Sequence, residues 1–173
     1  MKRRIALKSL AASFGALVIL PAWAENWTLP KVMLKSPLLN PNQADLLTDV
    51  VATIIPDGTI PGAKALGVPA FIQKMVADCY EKPVQEDFKN GLDTIEKTAQ
   101  QSYSQAFANL AISQKQDLLK SLGASTDSKT KEFYSAVKNL TIQGYTTSEY
   151  VMVKHLKYVM TPGHYWGCRP LTP

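Results

Sequence analysis

Residue types that usually carry catalysis or bind metals are scarce in this chain. Its 173 residues include only two histidines and two cysteines. Neither pair has the spacing of a zinc finger or of a His-x-x-x-His motif, so we expect no structural zinc or iron–sulfur centre on this chain alone. The sequence also lacks a C-x-x-C-H haem motif, a dinucleotide-binding glycine fingerprint and a G-x-S-x-G nucleophile elbow. We therefore predict no catalytic, cofactor-binding or metal-binding residue here.

Acidic residues are missing from the first 24 residues, which have the anatomy of an export signal. Four basic residues open this segment, an apolar run follows from Leu10 to Leu20, and Ala22 and Ala24 form an A-x-A cleavage pattern. A membrane-spanning helix needs about 20 apolar residues. Because the run is shorter than that, we expect residues 1–24 to be a removable leader rather than an anchor.

The basic part of the leader indicates the export route. Arg3 and Arg4, with Leu7 and Lys8 at the expected offsets, resemble the twin-arginine motif, although Ala6 stands where that motif has Phe. That route carries proteins that are already folded, often with a cofactor bound. General secretion is the alternative, and by either route the mature chain leaves the cytoplasm for the periplasm.

Removal of the leader also removes most of the positive charge. The whole chain has a formal net charge of +5, and four of its basic residues lie in residues 1–24, so residues 25–173 retain +1. This balance gives no electrostatic reason to expect nucleic-acid binding. The 149 residues that remain are enough for one domain with a real core, and an apolar content of 46% is typical of a folded protein.

Helical periodicity predicts an all-α fold. We expect a single small domain of about five to six short helices in residues 41–173, an extended arm at residues 25–40 and an irregular C-terminal tail. Asn40 and Gln43 have the spacing of a capping box around Pro41, and Pro56 ends this first helix. The later helices are predicted from Gly67-Val68-Pro69, from Phe88 to Gln101, from Ser113 (capped with Gln116) to Gly123, from Phe133 to Gly144, and from Thr147 to Val159.

The loop after the first helix is rich in turn residues. Asp57 lies between Pro56 and Gly58 and is interpreted as a turn residue. Pro61-Gly62 fits the central positions of a type II turn, in which glycine supplies the positive φ.

The two cysteines of the mature chain leave two arrangements open. Cys79 falls on the predicted inward face of the second helix, where it is most simply a small core residue. An oxidising compartment allows one Cys79–Cys168 disulfide. Alternatively, Cys168 cross-links or contacts a partner. The residues predicted to face a partner are Trp27 in the arm and Tyr165, Trp166, Cys168 and Arg169 in the tail, because aromatic residues and arginine dominate interface energetics.

Several segments together resemble the gluconate 2-dehydrogenase subunit 3 family. They are the leader with Arg3-Arg4 and residues 49–57, 61–63, 67–72, 140–149 and 162–167. The resemblance implies a non-catalytic small subunit of a membrane-associated FAD-dependent sugar, polyol or sugar-acid dehydrogenase. It implies that FAD lies on a large catalytic partner and haem c on a cytochrome c subunit, with this chain attached to the membrane only through them. It further implies that this chain supplies the export signal for the large subunit and helps it mature.

Two other functions remain as alternatives from the residues themselves. A free-standing periplasmic enzyme would use His155 or His164 as its acid–base group, although packing is the simpler interpretation of each. A small binding protein with no redox partner is the other alternative.

Overall fold

The computed structural model describes residues 38–161 and residue 163, and within them it contains helices and no strands. The predicted all-α fold is therefore confirmed. The leader, residues 25–37 of the arm and the tail from His164 onward lie outside the described residues. The helices are α1 (Pro41–Ile54), α2 (Val68–Cys79), α3 (Lys82–Tyr103), α4 (Ile112–Gly123) and α5 (Ser128–Thr146), with a 3-10 turn at Phe107–Asn109 and a π-helical turn at Val151–His155.

The start of α1 follows the sequence closely. The Asn40 side chain accepts a hydrogen bond from the Gln43 backbone N–H at 2.8 Å, and the Gln43 side-chain oxygen accepts one from the Asn40 N–H at 3.4 Å. Pro41 occupies the first turn, where its missing N–H is not needed. Both halves of the predicted capping box are thus present, and the helix ends at Ile54, ahead of Pro56.

Helix α5 lies at the centre of the fold and packs against α1, α2, α3 and α4. Its inward face carries Phe133, Val137 and Leu140, all buried. Apolar side chains from the other four helices and the 3-10 turn surround this face. They are Leu47, Val50, Val51, Ile72, Val76, Leu92, Ile95, Ala99, Phe107, Leu118, Leu119 and Leu122.

Two glycines let aromatic rings approach helix backbones closely. A Cβ on Gly91 of α3 would lie 2.3 Å from the Phe133 ring, and a Cβ on Gly144 of α5 would lie 2.6 Å from Cδ1 of Phe71. Phe133 also packs edge to face on Phe88, with ring centroids 5.4 Å apart. The prediction that Gly144 ends its helix is wrong, because α5 continues to Thr146 and buries Gly144 against α2.

The connection between α1 and α2 is built on Asp57. Its carboxylate accepts a hydrogen bond from the Gly62 N–H at 2.6 Å, which confirms Asp57 as a turn residue. The prediction of a type II turn at Pro61-Gly62 is wrong, because such a turn needs a positive φ at its glycine and Gly62 has none. Glycine is needed there since a Cβ would lie 2.6 Å from the Asp57 backbone nitrogen. The left-handed glycine is instead Gly67, with φ +73°, directly before α2.

Helix α4 begins at Ile112, one residue before its predicted cap at Ser113. The Lys115 N–H bonds the Ala111 carbonyl at 3.0 Å, so the helix begins at Ile112 and Ser113 lies inside it. The Gln114 side chain, rather than that of Gln116, reaches back to the Ala111 N–H at 3.0 Å. The predicted Ser113–Gln116 capping box is therefore wrong, whereas the predicted end at Gly123 is confirmed.

Cys79 is exposed, so its prediction as an inward core residue is wrong. It is the last residue of α2, and the buried stripe of that helix ends one turn earlier at Val76. The helical period continues to Cys79, but its side chain is exposed, although Gln85 of α3 bonds the neighbouring Ala77 and Tyr80 carbonyls at 3.1 and 2.8 Å.

Candidate functional site

The largest cluster of exposed apolar side chains follows the central helix. Nine large apolar residues are exposed in the described part of the chain, and five of them fall between Val153 and Met160. Leu156 is 63% exposed and Met160 is 84% exposed. We call Val151–Met160 the C-terminal apolar segment. The predicted helix from Thr147 to Val159 is present only at residues 149–155. Its last turn, Val151–His155, is π-helical and buries none of its residues, and the predicted continuation to Val159 is wrong.

The backbone of this segment is held by hydrogen bonds even though the side chains of residues 153–160 are exposed. The Leu156 N–H bonds the Val151 carbonyl at 3.0 Å, and the Tyr158 N–H bonds the Met152 carbonyl at 2.9 Å. Lys157 has a left-handed φ of +52°, an unfavourable conformation for a residue with a Cβ. This residue directs the chain away from the helical path.

The segment is also basic. Lys154, His155 and Lys157 are exposed within it, and Glu149 is the last acidic residue of the whole sequence. His155 packs edge to face against Tyr150, with ring centroids 5.6 Å apart. The surface therefore combines apolar side chains with positive charge.

A second surface, an open groove of about 500 Å³, is acidic rather than basic. It lies between the start of α1, the middle of α3 and the 3-10 turn, and its carboxylates are Asp45, Asp49, Asp93 and Glu96. The Gln43 amide donates to Asp93 at 2.9 Å, and Glu96 accepts from the Phe107 N–H at 3.3 Å. Within the described residues, no group of three or more His, Cys, Asp or Glu side chains is arranged to hold a metal ion.

All of the residues predicted from sequence to face a partner or direct export lie outside the described part of the chain, as does His164, one of the two acid–base candidates. The export and partner residues are Arg3, Arg4, Leu7, Lys8, Ala22, Ala24, Trp27, Tyr165, Trp166, Cys168 and Arg169. Cys79 is on the surface, where its thiol is accessible, and both arrangements of the two cysteines stay predictions.

The sequence alone predicts neither the C-terminal apolar segment as an exposed surface nor the acidic groove. The apolar residues of the C-terminal segment were assigned to a helix face, although a basic, acid-free stretch after Glu149 was visible in the sequence. The acidic groove assembles residues from two helices about fifty positions apart, and no local pattern reveals that.

Among the described helices, none has the length and apolar character to cross a membrane.

Comparison with known families gives a match over most of the described chain. Residues 41–163, more than half of the chain, match the family described as gluconate 2-dehydrogenase subunit 3. The matched range includes every described helix and the C-terminal apolar segment. Comparison with curated proteins and with solved structures gives no match.

Proposed function

The chain belongs to the gluconate 2-dehydrogenase subunit 3 family, and from this premise we propose that it is the non-catalytic small subunit of a periplasmic, membrane-associated FAD-dependent dehydrogenase. The complex would be of the gluconate, sorbitol, fructose or glucose dehydrogenase type. The observation that carries this proposal is the family match across residues 41–163. The family name itself describes one subunit of a larger enzyme.

In the proposed complex, catalysis and electron transfer belong to other subunits. FAD and the substrate bind a large catalytic partner, and a cytochrome c subunit with haem c passes electrons on to the membrane. This chain acts by binding, with contacts that include Trp27 in the arm and Tyr165, Trp166, Cys168 and Arg169 in the tail. Aromatic residues and arginine are the types that contribute most to interface energetics.

The leader gives the chain its second role. Arg3 and Arg4 support export by the twin-arginine route. A large subunit without its own signal would then cross the membrane already folded, with FAD in place, as the passenger of this chain. The small subunit would act as an escort during export and as a stabilising partner afterwards.

Purification of a C-terminally tagged chain from the periplasm of the native organism tests this proposal. We expect a large flavin-containing polypeptide to co-purify, and a non-reducing gel of the same sample to report whether a disulfide joins the two chains. A colourless chain that purifies alone would contradict the proposed function.

The double substitution Arg3→Lys and Arg4→Lys tests the escort role. It keeps the positive charge that general secretion requires but removes the twin-arginine pair. We expect the flavoprotein to stay in the cytoplasm of this strain. Export of both chains at the wild-type level would show that the arginine pair does not direct transport.

A further inference from the structure

We propose that the C-terminal apolar segment, Val151–Met160, docks this chain onto the catalytic subunit, against an apolar patch bordered by carboxylates. This inference rests on the proposed function and identifies the surface that would carry it. The residues predicted from sequence to face a partner do not include any residue of this segment.

The first argument is the size of the exposed apolar surface. Val153, Leu156, Tyr158, Val159 and Met160 are each at least half exposed. Together they expose on the order of 500 Å² of apolar surface, comparable to the largest patch on a typical monomer, and such patches are often functional. A standard interface buries about 800 Å² on each partner. The segment alone thus supplies more than half of what one partner needs.

The second argument is that the segment is shaped before it binds. The hydrogen bonds from Leu156 and Tyr158 back to the π-helical turn fix its backbone. The left-handed Lys157 turns the chain so that residues on either side of it stay on the surface. A backbone that is already ordered loses less conformational entropy on association than a free segment does.

The third argument is charge. Residues 150–173 contain Lys154, Lys157 and Arg169 and no acidic residue. Complementary charges at the rim of an interface steer association and fix its register. The matching surface on the partner therefore carries carboxylates around an apolar centre.

A lipid surface is the other partner that a basic and apolar segment can bind. A helix that binds the membrane interface does so through a regular amphipathic structure with one apolar face. This segment has instead a five-residue π-helical turn followed by a left-handed residue. The geometry favours a protein partner.

The test uses the full-length chain, tagged at its C-terminus and expressed with its large subunit in the native organism. The disrupting variant is Leu156→Glu with Val159→Glu, which places two carboxylates in the apolar centre. The matched control is Ile112→Glu, because Ile112 is 72% exposed and belongs to the start of α4 rather than to the segment. The readout is flavin released per tagged chain, together with the gel band of the large subunit.

We expect the double variant to lower co-purified flavin by about tenfold or more, as central interface residues do. Ile112→Glu should leave it at the wild-type level. Circular dichroism and the melting temperature of each purified chain establish that all three fold alike, which we expect because the changed side chains are exposed. Lys154→Glu with Lys157→Glu should weaken recovery mainly at low salt.

The possible failures are distinguishable. If the wild-type chain recovers no flavoprotein, both the proposed function and this inference fail. If the wild type and the Leu156/Val159 double variant recover it equally, the inference alone is wrong. If the wild-type chain binds vesicles of phosphatidylglycerol and phosphatidylethanolamine, and the double variant loses only this binding, the segment faces lipid and the inference is overturned.

Discussion

Gly144 on α5 lies so close to Phe71 on α2 that a Cβ at this position would be 2.6 Å from Cδ1 of the ring. The same Cβ would lie 3.1 Å from Cγ1 of Val68. The absence of a side chain therefore sets the distance between the central helix and α2.

Substitution of this glycine should destabilise the fold. Gly144→Ala forces Phe71 or the helix axis to move, and overpacking of this kind costs about 1–3 kcal/mol. Urea unfolding followed by circular dichroism measures the loss. Gly58→Ala is the matched control, because a Cβ there meets nothing within 4 Å. Equal stability of the two variants would show that the helices adjust without cost.

The Asp57–Gly62 hydrogen bond gives a second prediction. Asp57→Ala leaves the buried Gly62 N–H without its acceptor. An unpaired buried donor costs about 1–3 kcal/mol, so we expect a loss in that range. Asp57→Asn keeps an oxygen acceptor and should lose clearly less. If Asn and Ala prove equally destabilising, the bond to Gly62 is not what the carboxylate provides.

A third prediction concerns the acidic groove. Gln43→Glu retains the capping box at the start of α1 but replaces the amide that donates to Asp93 with a carboxylate. We expect a loss of about 0.5–1.5 kcal/mol at neutral pH from the lost hydrogen bond and like-charge repulsion. High salt should reduce the loss. Adding Asp93→Asn should restore most of the stability, and a purely additive double variant would argue against direct coupling.

A fourth prediction follows from the cap of α5. Asp127 accepts hydrogen bonds from the Thr130 hydroxyl and the Thr130 backbone N–H. These bonds, the side-chain one first, hold the pKa of the Asp127 carboxyl below its ordinary value of 3.8. A carboxyl whose pKa is lower in the folded state stabilises the fold above its unfolded pKa, and this stabilisation is lost as the pH falls through the folded pKa.

Asp127→Asn should therefore be less stable than the wild type at neutral pH, by an amount that shrinks as the pH falls below 3.8. Chemical unfolding across an acid pH series measures the difference between the two chains. A difference that stays constant down to the lowest pH would show that the carboxylate charge does not contribute.

The sequence predicted features whose partners lie within a few residues. The Asn40–Gln43 capping box and the role of Asp57 in its turn were both correct, because the interacting atoms are three and five positions apart. The helical class was also correct, since an amphipathic period records which face of each helix is covered.

Features that depend on distant contacts were predicted wrongly. The sequence predicts a helix end at Gly144, but glycine is required there because of an aromatic ring 73 positions earlier. Periodicity places Cys79 in the core because it gives the direction of a side chain, but it does not show that the buried stripe of α2 ends at Val76. The sequence predicts one regular helix from Thr147 to Val159, since it does not distinguish apolar surface for a partner from apolar surface for a core.

The central position of α5 has a consequence for the newly made chain. Phe133, Val137 and Leu140 complete the core, so helices α1 to α4 cannot close around their common centre until α5 has been synthesised. Residues 1–24 are translated before all of these helices. Under the proposed export route, a nascent chain therefore displays its transport signal before it is folded, and completion of α5 decides when it is ready to leave.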